Sequence, residues 1–463
     1  MDKSKLEKVD LSLDGQAFTQ RYGRKKSLAT HTLGCKVNQS ETEAMTGAFL
    51  KEGYELVDFE DPADVYVINT CTVTNIGDRK SRQFIRKALD KNSEAFIAVV
   101  GCYAQIAPEK VEEIPGVKLI VGTSERANLV HLVERAAATP GVVNTVRNIM
   151  DVYEFEDLGL TEFKGRTRAF VKIQEGCDQY CTYCIIPYAR GHVRSRRPES
   201  VLLEVEDLAK RGFREIVLTG IHIGSYGKDL KEGNLLELLK AIHQIEGIKR
   251  IRIGSVEPGT MTDEFLETIK NMGKLCKHFH LSLQSGSDGT LRRMNRKYTT
   301  EQYFSTVEKI RMHMPEAALS TDVIVGFPGE TAEEFEETRK FIEKVDFSTV
   351  HVFKYSPREG TPAAKFKNQV SGAIKDERSK IIMEITDRSA ERYRERFLGR
   401  TLEVLIEQEV QDMPGWFDGI TENYLEVRIP MDHSGLTKEE IEGNIFSIIL
   451  ESIERGIIIG KQV

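Results

Sequence analysis

Gly176-Cys177-Asp178-Gln179-Tyr180-Cys181-Thr182-Tyr183-Cys184-Ile185-Ile186-Pro187 is the stretch around which the 463-residue chain is organised. Its three cysteines stand at x3 and then x2 spacing. That is too tight for a disulfide framework and one thiolate short of a closed four-cysteine site. Three soft ligands on one short loop suit a cubane iron–sulfur cluster with one iron left open. An open iron can chelate a substrate, much as a catalytic zinc keeps one free position. The competing reading is a structural zinc knuckle with a distant fourth ligand, but no His or Cys follows at zinc-finger spacing.

The loop resembles the signature of the radical S-adenosylmethionine (SAM) enzymes. In that family three thiolates hold a 4Fe–4S cluster, SAM chelates the fourth iron, and one electron cleaves SAM to a 5′-deoxyadenosyl radical. The resemblance implies Cys177, Cys181 and Cys184 as ligands. It also places Tyr183, the aromatic before the last cysteine, beside the adenine.

Length and composition agree with a large globular enzyme. At 463 residues the chain exceeds one core, so two or three domains are expected. Its 40% hydrophobic and 30% charged content is ordinary. Residues 1–26 carry no apolar h-region, and no apolar run reaches bilayer length, so a cytoplasmic location is expected. Seven cysteines there argue for metal or catalytic use rather than disulfides. A formal net charge of −7 excludes a generic nucleic-acid binder, so RNA contact must come from local patches.

Residues 1–26 read as a mobile, partly basic extension. From Ser27 to about residue 139, apolar strands alternate with helices, which predicts a doubly wound parallel sheet. The strand candidates are Ser27–Thr32, Asp64–Thr70, Ala95–Val100 and Val117–Val121. Cys35, Cys71 and Cys102 each follow the carboxyl end of a strand, and open parallel sheets bind ligands along that edge. The three could therefore converge, although free Cys is also a common core residue. His31-Thr-Leu-Gly-Cys35-Lys-Val-Asn38-Gln-Ser-Glu41, Asn69-Thr-Cys71-Thr-Val-Thr74 and Gly101-Cys102-Tyr-Ala-Gln105 resemble the amino-terminal domain of the methylthiotransferases. There the three cysteines hold an auxiliary 4Fe–4S cluster with an open iron. Lys36-Val37-Asn38 is closest to the branch acting on threonylcarbamoyladenosine. The isopentenyladenosine branch usually has Gln-Met-Asn at this place, and the ribosomal-protein branch Pro-Lys-Asn.

Residues 140–162 lose periodicity and read as a linker. A second βα series covers 163–393. Six strand candidates (Phe170–Gln174, Glu215–Ile221, Lys249–Ser255, His278–Gln284, Ser320–Gly326, Val350–Tyr355) with five helices between them predict an open (β/α)6 barrel. Active sites of such barrels lie at the strand carboxyl ends. By resemblance, Thr219 and Gly220 fall where the family contacts the SAM amino group. Ser255 and Glu257 could accept hydrogen bonds from an ammonium or ribose, and Gln284 and Ser285 could reach the ribose hydroxyls. Asp322-Val-Ile-Val-Gly326-Phe-Pro-Gly329-Glu330 resembles the adenine-binding segment. It departs from Gly-x-Ile-x-Gly-x-x-Glu at Asp322, and Glu330 comes one place late. Cys276 is read as a structural thiol.

Three basic clusters could track a phosphate backbone or simply be solvated faces. They are Arg190, His192, Arg194, Arg196 and Arg197; Arg292, Arg293, Arg296 and Lys297; and Arg79, Lys80, Arg82, Arg86 and Lys87. Arg190, Arg194 and Arg293 are the candidates for a carboxylate on the modified base. Ser371–Phe397 reads as a helical strut. Residues 396–463 turn to short strands and predict a small barrel. Gly419-Ile-Thr421-Glu-Asn423-Tyr424-Leu-Glu-Val427 resembles the core of the RNA-binding TRAM domain. That segment carries six Lys/Arg against thirteen Asp/Glu. It must therefore bind RNA by stacking, with Tyr424 and Trp416 as candidates, or mainly dock.

The resemblance implies a tRNA methylthiotransferase. It would place a methylthio group on threonylcarbamoyladenosine beside the anticodon, using two 4Fe–4S clusters, SAM and an electron donor such as flavodoxin or ferredoxin. The same chemistry on isopentenyladenosine or on a ribosomal protein, and a zinc-containing RNA-binding protein, are the alternatives.

Overall fold

The structure is a computed structural model that describes residues 9–73, 75–159, 167–431 and 436–463. Residues 1–8 of the expected extension, Thr74 of the second cysteine motif, and 160–166 at the expected linker–barrel junction lie outside the described residues. The chain divides into two units. One is Met1–Phe163 with Gln174–Tyr180 and Cys184–Arg196; the other is Lys164–Ile173 with Cys181–Tyr183 and Arg197–Val463.

The first unit is built on β1 (Ser27–Thr32), β2 (Val65–Thr70), β3 (Phe96–Gly101) and β4 (Val117–Val121). All pair parallel in that order, and two-residue strands at Glu55–Leu56 and Val143–Asn144 close the edges. β2 and β3 are buried at every position, as expected of strands covered on both faces. One face holds Met45 and Phe49 of α2 (Lys36–Lys51) with Leu132 and Val133 of α5 (Leu129–Ala137). The other holds Ile85 and Ala88 of α3 (Asn75–Lys91) with Tyr103 of the short α4 (Cys102–Ile106). The expected doubly wound sheet is therefore present.

The expectation of a mobile extension fails where the chain is described. Gly15–Tyr22 forms α1, capped by Asp14 Oδ1 on the Ala17 N–H at 2.7 Å. Phe18 is fully buried. A Cβ at Gly15 would lie 2.0 Å from the Glu52 carbonyl oxygen, so only glycine allows this approach. Arg24 then pairs with Asp64, with Nη1–Oδ2 at 2.6 Å. The sequence reading weighed net polarity and missed one aromatic anchor.

The second unit contains β5 (Arg168–Glu175, shared with the first unit at its last two residues), β6 (Glu215–Gly220), β7 (Arg250–Ile253), β8 (His278–His280), β9 (Ala318–Val325) and β10 (Thr349–Lys354). β5–β6–β7 and β8–β9–β10 are each contiguous, and parallel bridges Ile251↔Leu275 and Val256↔Leu281 join the two halves. This is the open six-stranded arrangement expected. Helices Pro198–Lys210, Leu235–His243, Asp263–Ile269, Thr300–His313 and Ala332–Val345 alternate with the strands. Capping boxes at Thr299/Gln302 and Thr331/Glu334 fix two of their starts.

The helix Gly372–Glu395 leads to a closed barrel of β11 (Thr401–Glu409), β12 (Trp416–Thr421), β13 (Glu426–Pro430), β14 (Ile445–Glu454) and β15 (Ile457–Gln462). The order around it is β11-β12-β13-β15-β14. Val404, Phe417, Val427 and Ile448 fill its core.

Candidate metal centres

The first three cysteines sit where their strands end. Cys35 is the N-cap of α2, Cys71 follows β2 directly, and Cys102 opens α4 immediately after β3. The strand order reverses between β1 and β2, so Cys35 and Cys71 flank the crevice such sheets use for ligands. Gly34 takes φ +107°, and a Cβ there would lie 2.9 Å from both Cβ and Sγ of Cys71. Cys102 is buried, Cys71 half-buried and Cys35 exposed. Burial pushes the Cys102 thiol up to about 12, with the Arg190 charge opposing, and it also raises Cys71. Three soft donors at adjacent strand ends, with Cys35 the exposed one, suit a cubane cluster with an open iron.

Behind Cys102 lies a buried ionic network. α6 (Ile186–Arg190) follows Cys184 and ends in Arg190, which is fully buried. Its Nε–H points at Cys102 Sγ at 3.2 Å. Nη1 donates to Glu41 Oε1 at 2.5 Å and Glu175 Oε1 at 2.8 Å. Nη2 donates to Asn38 Oδ1 at 2.5 Å and Glu41 Oε2 at 3.1 Å. All five guanidinium N–H groups are thereby used. Arg126 closes the ring, with Nη1 2.6 Å from Glu41, Nη2 3.4 Å from Glu175 and Nε 3.0 Å from Glu156.

The Cys177 loop leaves β5 through Gly176 at φ +72°. In the first unit, the Cys177 N–H donates to the Gly191 carbonyl at 3.0 Å. The Asp178 carboxylate accepts from the Val193 N–H at 3.3 Å and meets His192 Nδ1 at 2.9 Å. In the second unit, Arg296 Nη1 donates to Cys181 Sγ at 3.3 Å. The Thr182 N–H reaches the Met294 carbonyl at 3.0 Å, and the Thr182 carbonyl accepts from Ala363 N–H at 2.8 Å. Tyr183 packs on a small cluster of Met294, Phe327, Tyr355 and Ala363. Phe327 belongs to the segment that resembles the adenine-binding one, so Tyr183 and that segment share one wall.

The other expected cofactor contacts divide. Thr219 and Gly220 end β6, and Ser255 is exposed just past β7. Gln284 takes φ +72° and bridges β9 at Val323. Glu257 is not an open acceptor: its Oε1 pairs with Arg296 Nη2 at 2.8 Å and its Oε2 with His222 at 3.2 Å. Ser285 is fully buried, and its Oγ lies 3.2 Å from Thr338 Oγ1. Glu330 is likewise structural, since it accepts the Gly326 N–H at 2.6 Å and pairs with Arg378. Cys276 is buried.

Comparison with known proteins follows the same partition. Residues 171–342 match the radical SAM superfamily, and residues 27–122 match uncharacterized protein family UPF0004. A threonylcarbamoyladenosine tRNA methylthiotransferase (MtaB) of Bacillus subtilis is 46% identical over 87% of this chain and 90% of its own length. The MtaB of Aquifex aeolicus is 40% identical over 87% and 96%. A tRNA-2-methylthio-N(6)-dimethylallyladenosine synthase of Caldicellulosiruptor saccharolyticus is 37% identical over 83% of each chain. Among solved structures, the radical SAM methyltransferase TsrM of Kitasatospora setae superposes with a TM-score of 0.55 at 16% identity, over 73% of this chain and 77% of its own.

The chain belongs to the radical SAM methylthiotransferases. It is a transferase that uses SAM and 4Fe–4S clusters.

Of the four residues expected to contact a substrate, three are engaged within the chain. Arg190 has every N–H committed inside the first unit. Arg194 is 2% exposed and donates to the carbonyls of Arg190 at 2.8 Å and Val152 at 3.3 Å. Tyr424 stacks on His278 at 4.3 Å and has Arg252 4.9 Å from its ring centroid, so its ring is already engaged within the second unit. Arg293 is one-third exposed, pairs with Glu334 and stays a candidate. Of the basic clusters, Arg190, Arg194 and Arg196 are buried, while α3 keeps Arg79, Lys80 and Arg86 exposed. Sequence reasoning missed Glu41, Arg126 and Glu175. The sequence held no clear signal for them, since the strand that ends in Glu175 already carries Lys172 and Gln174.

Proposed function

We propose that this methylthiotransferase converts N6-threonylcarbamoyladenosine, next to the anticodon of tRNA, to its 2-methylthio derivative. One observation carries the choice of base: 46% identity to the Bacillus subtilis MtaB over nearly its whole length, against 37% to a dimethylallyladenosine synthase. In this reading Cys177, Cys181 and Cys184 hold the cluster that binds SAM, and Cys35, Cys71 and Cys102 hold the second. Bound there, the two clusters and SAM supply the radical and sulfur chemistry that an unactivated ring carbon requires. The chain's own residues orient and shield. Arg296 and Arg190 each place an N–H on one cysteine sulfur, and Tyr183 with Phe327 offers an apolar wall to an adenine. Thr219, Gly220 and Gln284 remain the cofactor contacts, and an electron donor such as flavodoxin or ferredoxin completes the system. The cytoplasm, where tRNA is modified, is the compartment this reading implies.

The test is mass spectrometry of tRNA nucleosides from a host lacking its own enzyme and complemented with this gene. The expected product is the 2-methylthio form of threonylcarbamoyladenosine. Appearance of 2-methylthio-isopentenyladenosine instead, with threonylcarbamoyladenosine unmodified, overturns the choice of base and leaves the radical chemistry standing.

A further inference from the structure

Arg190 is too costly a group to bury without a use. Replacing a buried ion-pair set by apolar side chains is often neutral or stabilising. Yet this fold encloses Arg190, Arg126, Glu41 and Glu175, all with side chains at most 2% exposed. The four alternate in charge around a closed ring and balance one another. Within that ring, both terminal nitrogens of Arg190 are held from two sides, and its planar fork leaves one direction for Nε–H. That direction is Cys102 Sγ, at 3.2 Å. Asn38 ties the same guanidinium to the Cys35 loop, since its Nδ2 donates to the Leu33 and Thr70 carbonyls at 2.7 and 3.1 Å. So the residue touches the surroundings of all three cysteines.

We propose that Arg190 is a positioning residue for the cluster held by Cys35, Cys71 and Cys102, donating Nε–H to the Cys102 sulfur and thereby raising that cluster's reduction potential. The inference rests on the cluster reading above. Hydrogen bonds to ligand sulfur and nearby positive charge stabilise the reduced, more negative state, and both are recognised means of tuning such clusters. The ring of carboxylates then has a purpose beyond neutralisation. It fixes the guanidinium so that one N–H stays on sulfur through a change of cluster charge. Because Arg190 lies six residues after Cys184, the loop bearing one set of ligands also carries the donor to the other set.

The test uses full-length protein carrying Cys177→Ala, Cys181→Ala and Cys184→Ala, reconstituted anaerobically so that only the N-terminal cluster contributes. Potentiometric titration followed by electron paramagnetic resonance reads its midpoint. Arg190→Lys and Arg190→Gln should retain iron and shift the midpoint to more negative potential, with the larger shift in the Gln variant, which also loses the charge. Glu41→Gln should shift it the other way, because the donor stays and a neighbouring negative charge goes. A midpoint unmoved in the iron-loaded Arg190 variants overturns the inference. Should those variants fail to hold iron, the Glu41→Gln arm decides alone: an unmoved or more negative midpoint overturns it. Absence of iron from the background protein itself overturns the cluster reading, whereas iron with an unmoved potential overturns this inference only.

Discussion

A side chain at Gly34 would collide with the sulfur of Cys71, a ligand in the proposed cluster reading. The φ of +107° lies outside the basins that side chains accept, at about 1–3 kcal/mol. The added methyl would also sit 2.9 Å from Cys71 Sγ. Gly34→Ala should therefore lower iron to about half of the wild-type content while reductive SAM cleavage persists. Iron analysis with a 5′-deoxyadenosine assay checks both, and full iron content would contradict the placement of Cys71 against this turn. The placement of Cys35, Cys71 and Cys102 at three successive strand ends was legible in the sequence. The role of Arg190 was not legible. A run from Arg190 to Arg197 reads the same whether its side chains meet water or carboxylates. The deciding partners, Glu41 and Glu175, lie 149 and 15 positions away. Opposite charges that far apart leave no local pattern, and only the folded sheet brings them together.

Secondary-structure elements were legible to within a few residues wherever burial is two-sided, because strands such as Phe96–Gly101 are continuous apolar runs. What a finished element touches was less so, and β12–β13 of the C-terminal barrel is the clearest case. Its Thr421–Tyr424 turn looks like an RNA-binding motif, yet in the second unit the turn is held by the barrel strand β7. Arg250 donates to the carbonyls of Ile420 at 2.9 Å and Glu403 at 2.7 Å. Arg252 donates to those of Thr421 and Glu422, both at 3.1 Å, while its Nε holds Glu215 Oε1 at 2.9 Å. Tyr424, at φ +67°, packs its ring against both Arg252 and His278. The acidity of this domain is consistent with that use. Arg252→Ala would leave the fully buried Glu215 carboxylate only the longer contact to Arg250, at 3.7 Å, and free the Thr421 and Glu422 carbonyls. Loss of one partner of a buried pair costs about 3–5 kcal/mol. We expect a lower first thermal transition and faster proteolysis after Gly399, with SAM cleavage retained at low temperature. Unchanged melting of Arg252→Ala would mean that Tyr424 is available for another partner.

At the scale of the whole molecule, the proposed two-cluster reading gives the two cysteine sets separate tasks, and each set can be removed on its own. Replacing Cys177, Cys181 and Cys184 by Ala should leave about half the iron and abolish SAM cleavage. Replacing Cys35, Cys71 and Cys102 should also halve the iron, but spare SAM cleavage and stop methylthio transfer. Thiolated product at the wild-type rate from the latter protein would sink the two-cluster reading. The base itself poses the remaining electrostatic problem. Threonylcarbamoyladenosine carries a carboxylate that isopentenyladenosine lacks, so its pocket should offer a cation. With Arg190 and Arg194 enclosed in the first unit, Arg293 is the candidate left. Glu334 now holds it, with Nη1 2.9 Å from Oε1, and also caps its own helix. A substrate carboxylate would compete with Glu334 for the same fork. Losing a charge-assisted bond costs about 1.5–3 kcal/mol, about tenfold or more in catalytic efficiency. Arg293→Gln should lose that much in methylthiolation of a threonylcarbamoylated anticodon stem-loop while SAM cleavage without RNA is unaffected. Glu334→Gln separates binding from support. It frees Arg293 without removing it, so efficiency should hold or rise if Arg293 meets the substrate. A fall equal to that of Arg293→Gln would show that the pair only braces the helix.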